Sequence, residues 1–157
     1  MVGEVMRYVA LEDERIIAVD GFGSAALSLA VRDHYIGWEP EIQFRRLRYV
    51  TNNQRFCALP DESRPNRASA MLFRVLRRLF SDFLHAYGHP RALVETFTDP
   101  MRHVDICYKA TNFLQVGEAM GGVMVSVSIM DGERPAGFTR FRRTQPRSWL
   151  VASTTHC

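Results

Sequence analysis

Lysine is almost missing from this chain of 157 residues: of its 20 basic residues, all but Lys109 are arginine. That bias alone assigns no nucleic-acid role, because a binding face needs its cations collected in one place. Cysteine is scarce as well. Cys57, Cys107 and Cys157 are odd in number and widely separated, which builds neither a disulfide framework nor a close-spaced zinc site, so reduced thiols are expected. The five histidines contain no HxH or HExxH pairing, and no metal is expected. No apolar run approaches the roughly 20 residues that cross a bilayer. The opening "MVGEVMRYVALEDER" lacks the basic start and apolar centre of a signal peptide, and a cytoplasmic location is the expectation. Repeats, low-complexity tracts and linkers are absent too.

What remains is a composition that can build a core, 46% apolar and 11% aromatic, in a length that suits one domain. Basic and acidic residues balance over 1–118, and the net charge of +3 comes from the tail. The expected organisation is one domain over 1–130 followed by an atypical Arg-rich extension over 131–157.

The pattern of side chains predicts the elements in order. "RYVALEDERIIAVDGFG" predicts a hairpin around a polar turn from Glu12 to Arg15. Ser24 can cap a helix that Gly37 closes, with Leu27, Ala30 and Val31 at helical spacing. Two short extended pieces are expected at 46–51 and 55–59, with a turn or bulge at Asn52-Asn53. From Ala68 to Tyr87 one apolar stripe marks a long helix, with Asn66 as its cap and Gly88 at its close. "RALVETFTDP" predicts a buried strand, Asp99-Pro100 the start of a short helix through Tyr108, and Asn112 its left-handed end. Phe113 to Val116 and the alternating Val123, Val125, Val127 and Ile129 read as strands. The expected fold is α/β (α+β), a mixed central sheet with packed helices and parallel pairing near the end.

"RDHYIGW" (32–38), "NNQRFCALP" (52–60), "NRAS" (66–69), "YGHP" (87–90), "ETFTDP" (95–100) and "CYKATNFLQVGE" (107–118), in that order and spacing, resemble the DruA-type domain associated with Druantia anti-phage systems and with mobile elements. The resemblance runs from about Gly3 to Gly121. Against that pattern both ends look cropped, Asp105-Ile106 stands where the family carries Gly-Thr, and a frame change is one source for the Arg-rich C-terminus. A weaker resemblance is to the GNAT acyltransferase fold. There a short helix ends in a Tyr-x-x-x-Gly-Phe pattern, matched here by "YKATNF" with Asn112 in the place of glycine.

The GNAT resemblance implies a coenzyme A derivative as cofactor. It implies Tyr108 as the acid that protonates a leaving thiolate, and a pyrophosphate cradle at Arg64, Asn66, Arg67 and Ser69 before the long helix. Arg67 occupies a position where that motif has glycine, so solvated side chains around a helix end are the competing reading. Glu95, at the carboxyl end of a strand expected to be central, is the candidate base; its alternative is an ion pair with an arginine such as Arg55. "RDHYIGW" offers either a binding surface or a helix end with an internal charge pair and a buried indole. A non-catalytic module is the second functional class, acting on nucleic acid or a defence partner through Arg45, Arg48, Arg74, Arg78 and the tail; a nucleic-acid face needs the two arginine groups to converge, and a solvated face is the competing reading. A homo-oligomer, a dimer, is expected to form through Val123, Val125, Val127 and Ile129, by pairing across an edge or by packing one sheet face on its copy, the alternative being that this strand completes the sheet of its own chain.

Overall fold

The computed structural model describes residues 3–59, 66–101 and 106–130. Strands β1 (Met6–Glu12) and β2 (Arg15–Ser24) form the expected hairpin. Asp13 and Glu14 make its turn at φ of 47° and 65°, the paired left-handed conformation that matches the twist of the flanking strands. Two short helices follow, α1 (Ala30–Ile36) and α2 (Pro40–Arg46), then a 3-10 turn (Leu47–Tyr49) and β3 (Val50–Ala58). The long helix α3 (Arg67–Tyr87) leads to β4 (Leu93–Thr98), α4 (Ile106–Ala110), β5 (Leu114–Ala119) and β6 (Val123–Ile129).

These strands make one six-stranded mixed sheet in the order β1-β2-β3-β4-β6-β5. Its single parallel pair is β3 with β4, because α3 carries the chain back across the sheet between them. The consecutive residues Leu93 and Val94 show how the layers divide. Val94 joins Leu72, Val75, Leu79 and Phe83 of α3 on one face, and Leu93 joins Ile36, Trp38, Val50 and Val127 beneath α1 and α2 on the other. Strand alternation thus fills two cores at once. Gly117 marks where α1 comes nearest β5: a Cβ there would meet the Val31 side chain at 2.9 Å.

Several expectations change. Ser24 ends β2 and caps nothing, and α1 begins only at Ala30. Residues 46–49 are helical, since Pro40 pre-sets the first turn of α2. Asn66 gives no side-chain cap to α3; it sits at φ 63° and starts the helix through its carbonyl, which accepts from Ala70. Strand β6 lies between β4 and β5, with Val125 and Val127 buried inside the chain. Its hydrogen-bonding edges are therefore already taken, and the strand completes the sheet of its own chain. The extension at 131–157 lies outside the described residues. Among those described, no helix is long and apolar enough to cross a membrane.

Leu79 is fully buried in the core built on α3. Leu79→Ala is expected to lower unfolding free energy by about 2–5 kcal/mol in urea titration.

Candidate functional site

The parallel ladder of β3 and β4 is short. It pairs Val50 with Leu93, Thr51 with Val94, Asn52 with Glu95 and Asn53 with Thr96, and then stops, although both strands run on, to Ala58 and Thr98. The cause lies on the other side of β3, where the register with β2 shifts: Gly21 opposes Arg55 but Phe22 opposes Asn53, leaving Gln54 as an extra residue. A bulge of this kind bends its strand, and β3 stays with β2 while β4 stays with β6. Between them opens a cleft of about 350 Å³ lined by Asn53 to Cys57, Thr96 to Asp99 and Tyr108. The backbone groups facing it beyond Asn53 and Thr96 have no partner in the β3–β4 ladder.

Tyr108 reaches this cleft because of how α4 ends. Asn112 sits at φ 66°, and the Phe113 N–H turns back to the Tyr108 carbonyl at 3.0 Å. Phe113 is buried, and its ring meets that of Tyr108 edge-on with centroids 5.1 Å apart. The phenol is thereby held where the strands part, and its hydroxyl donates to Asn53 Oδ1 at 2.8 Å. Asn53 in turn donates through Nδ2 to Asp20 Oδ1 at 2.5 Å. Burial pushes the Asp20 carboxyl up from its ordinary 3.8 to about 7, against the opposing pull of the Asn53 amide and the Gly21 N–H.

Glu95 is placed elsewhere. It is fully buried beneath α1, on the sheet face away from α3, where Oε1 accepts from the Ala26 N–H at 2.6 Å and Oε2 from Arg32 Nη1 at 2.8 Å. Arg32, also fully buried, is held by Asp33 at 2.7 Å and by the Ala26 carbonyl at 2.8 Å. Burial pushes the Glu95 carboxyl up, with Arg32 and the Ala26 N–H opposing. The ion-pair alternative describes this residue, with Arg32 in place of Arg55, and the carboxylate does not meet Tyr108. In "RDHYIGW" the internal pair Arg32–Asp33 and the buried Trp38 are both present.

The residues expected around a phosphate are divided. Arg64 lies outside the described residues. Arg67 pairs with Glu12 at 2.5 Å, and Asn66 and Ser69 stand at the start of α3. The arginines expected to form a nucleic-acid face do not converge. Arg45 and Arg48 belong to α2 and the 3-10 turn, packed on one side of the sheet, and Arg74 and Arg78 belong to α3 on the other. Arg48 stacks on Tyr49, and Arg78 pairs with Asp82 at 2.7 Å. Sequence reasoning missed Asp20 and Asn53. The signal for Asp20 was an acidic residue at an inward position of a strand, between Ala18 and Phe22, where apolar side chains are the rule. Asn53 gave none, because asparagine beside asparagine reads first as a turn.

A mixed sheet whose central parallel strands part over a long helix defines a GNAT-like fold. Two solved structures share it: a protein assigned to the acetyltransferases of the GNAT family from Desulfovibrio desulfuricans (TM-score 0.50, 12% identity, 80% of this chain and 68% of that one), and aminoglycoside 6'-acetyltransferase type Ii (TM-score 0.50, 12% identity, 84% and 72%). At that identity the likeness is one of fold. The chain belongs to the DruA family, whose model, described as Druantia protein DruA, matches residues 1–124. No curated protein matches the sequence.

Two outcomes separate the structural carboxylate from the polar one. Glu95→Ala leaves Arg32 buried without its partner and is expected to cost about 3–5 kcal/mol of unfolding free energy, whereas Arg55→Ala, exposed in the cleft, changes it by less than about 0.5 kcal/mol. Asp20 acts through pH. Its folded carboxyl holds a proton to about 7 and an unfolded one releases it near 3.8, so the folded state binds more protons between those values. Stability owed to this group therefore declines as pH rises through that window. Asp20→Asn is expected to flatten the plot of unfolding free energy against pH.

Proposed function

We propose that this DruA-family chain binds a small acyl-bearing ligand, a coenzyme A derivative being the first candidate, in the cleft between β3 and β4, and that it does so within anti-phage defence on mobile elements. The observation that carries this reading is the parting of the two strands at Asn53 and Thr96 with a buried-side hydroxyl, that of Tyr108, at the vertex. Strand edges that have left their ladder present N–H and C=O groups to any extended amide-containing chain laid between them, as a third strand would. The volume of about 350 Å³ falls in the range of small-ligand sites. Arg55 at the rim supplies a cation for an acidic group, and Tyr108 at the floor supplies a phenol that can exchange a proton with a thiolate or carbonyl oxygen. If the ligand is a thioester, Tyr108 is the residue placed to protonate the departing thiolate.

The test is thermal and isothermal titration with acetyl-CoA, longer acyl-CoAs and free nucleotides. A ligand at 100 times its Kd is expected to add about 2.7 kcal/mol to stability. Cys57→Trp, which fills the cleft from an exposed position, should abolish that gain without lowering the stability of the unliganded protein, and Tyr108→Phe should reduce any acyl transfer by more than it reduces binding. A flat response to the whole panel removes the acyl-ligand reading.

A further inference from the structure

Beneath the cleft lies a buried carboxylate with one oxygen unpartnered. Asp20 is 3% exposed, and while Oδ1 accepts from Asn53, its Oδ2 is buried without a hydrogen-bond partner. The groups that face it can be named element by element. Among the described residues they are the Gly21 N–H on its own strand, Asn53 and Phe56 on β3, Tyr8 opposite on β1 with Asp82 and Arg78 of α3 behind its hydroxyl, and, beyond Asn53, Tyr108 on α4. The rest of the adjoining α3 face is apolar, and among the described residues no basic side chain pairs with Asp20.

A side-chain amide has one end that donates and one that accepts, and this makes Asn53 directional. An ionised Asp20 can only accept. Asn53 must then turn Nδ2 toward it and Oδ1 toward Tyr108, so the phenol spends its hydrogen on Asn53, as the distances of 2.5 and 2.8 Å show. A protonated Asp20 keeps one accepting oxygen but gains one that donates, and where the donating oxygen is turned to Asn53 every bond in the series reverses. Its O–H donates to Asn53 Oδ1, the turned amide donates to the phenolic oxygen, and the Tyr108 hydrogen is released toward the cleft.

We propose that Asp20 is the positioning residue of the cleft: its state of ionisation, relayed by the Asn53 amide, decides whether Tyr108 offers a bound ligand a lone pair or a proton. The raised Asp20 carboxyl, about 7, keeps both states populated near neutrality. A ligand that accepts at this point, such as a thiolate or a carbonyl oxygen, is served by the acidic form. The consequence for ligands rests on the cleft reading above, but the relay itself is visible at Tyr108 with the cleft empty.

The experiment is therefore nuclear magnetic resonance of the full chain labelled at tyrosine Cζ, with the Tyr108 signal identified by its loss in Tyr108→Phe. Over about pH 5 to 9 the signal should move in one step with a midpoint near the titration of Asp20. Asp20→Asn keeps the shape and removes the titrating proton, and should hold the Tyr108 signal at one position across the range. Asn53→Leu cuts the relay while leaving Asp20 to titrate, and should leave the Tyr108 signal flat; this second variant decides the matter even if the first does not fold. A wild-type Tyr108 signal that stays constant, or a step that survives Asn53→Leu, overturns the proposal. A step that is present and obeys both variants in a protein that binds none of the acyl ligands supports the relay and counts against the acyl-ligand reading alone.

Discussion

A cleft between two strands keeps its shape only if each strand is held by something other than its neighbour across the gap. For β4 much of that hold is the ion pair of Glu95 with Arg32, both without solvent exposure. Neither charge is tolerable there alone, and each is held by the other together with Asp33 and both backbone groups of Ala26. The pair fixes the segment before α1 to β4 one residue ahead of Thr96, the last rung shared with β3. Beyond it β4 is carried by its ladder with β6 through Thr98, and β3 by its ladder with β2 through Ala58. The gap is thus bounded on each side by a strand that is already committed.

Alternation along the strands then sorts structure from chemistry. Glu95 points beneath α1 and is spent on holding the sheet, while Thr96, its neighbour, faces the other way and lines the cleft. On β3, Asn53 faces α4 and takes the Tyr108 hydroxyl. Tyr108 owes its position to the left-handed Asn112 and the buried Phe113. Within "YKATNF", then, the phenylalanine belongs to the core and the tyrosine to the cleft, five residues apart because the helix end folds one back upon the other.

Most elements were legible because their signals are local. The α3 stripe, the hairpin turn at Asp13-Glu14, and the left-handed closures at Gly37, Gly88 and Asn112 each follow from side chains within a few positions. What was not legible depends on distance in sequence. Arg32 and Glu95 are 63 positions apart, and nothing in either segment names the other; Arg55, named as one partner for Glu95, lines the cleft instead. The place of β6 between β4 and β5 could not be read from its valines, since an alternating strand looks the same at an edge and inside a sheet. The helix α2 was hidden because its only apolar side chains after Pro40, Ile42 and Phe44, stand two positions apart and show no helical period.

Asp20 breaks a local rule in a way that bears on what the fold is for. Its position on β2 lies in register with Ala18 and Phe22, inside the core built on α3, where an aliphatic side chain would pack without any desolvation cost. A carboxyl there, with one oxygen unpartnered, lowers stability at neutral pH, and no ion pair with a described residue offsets the loss. Such a group is consistent with a fold only when the interaction it does make matters more than the packing it displaces. The interaction it makes is with Asn53, and through Asn53 with Tyr108. The polar series therefore runs from an unfavourable core position to the phenol at the vertex of the cleft, which is the direction expected if the sheet exists to control that hydroxyl.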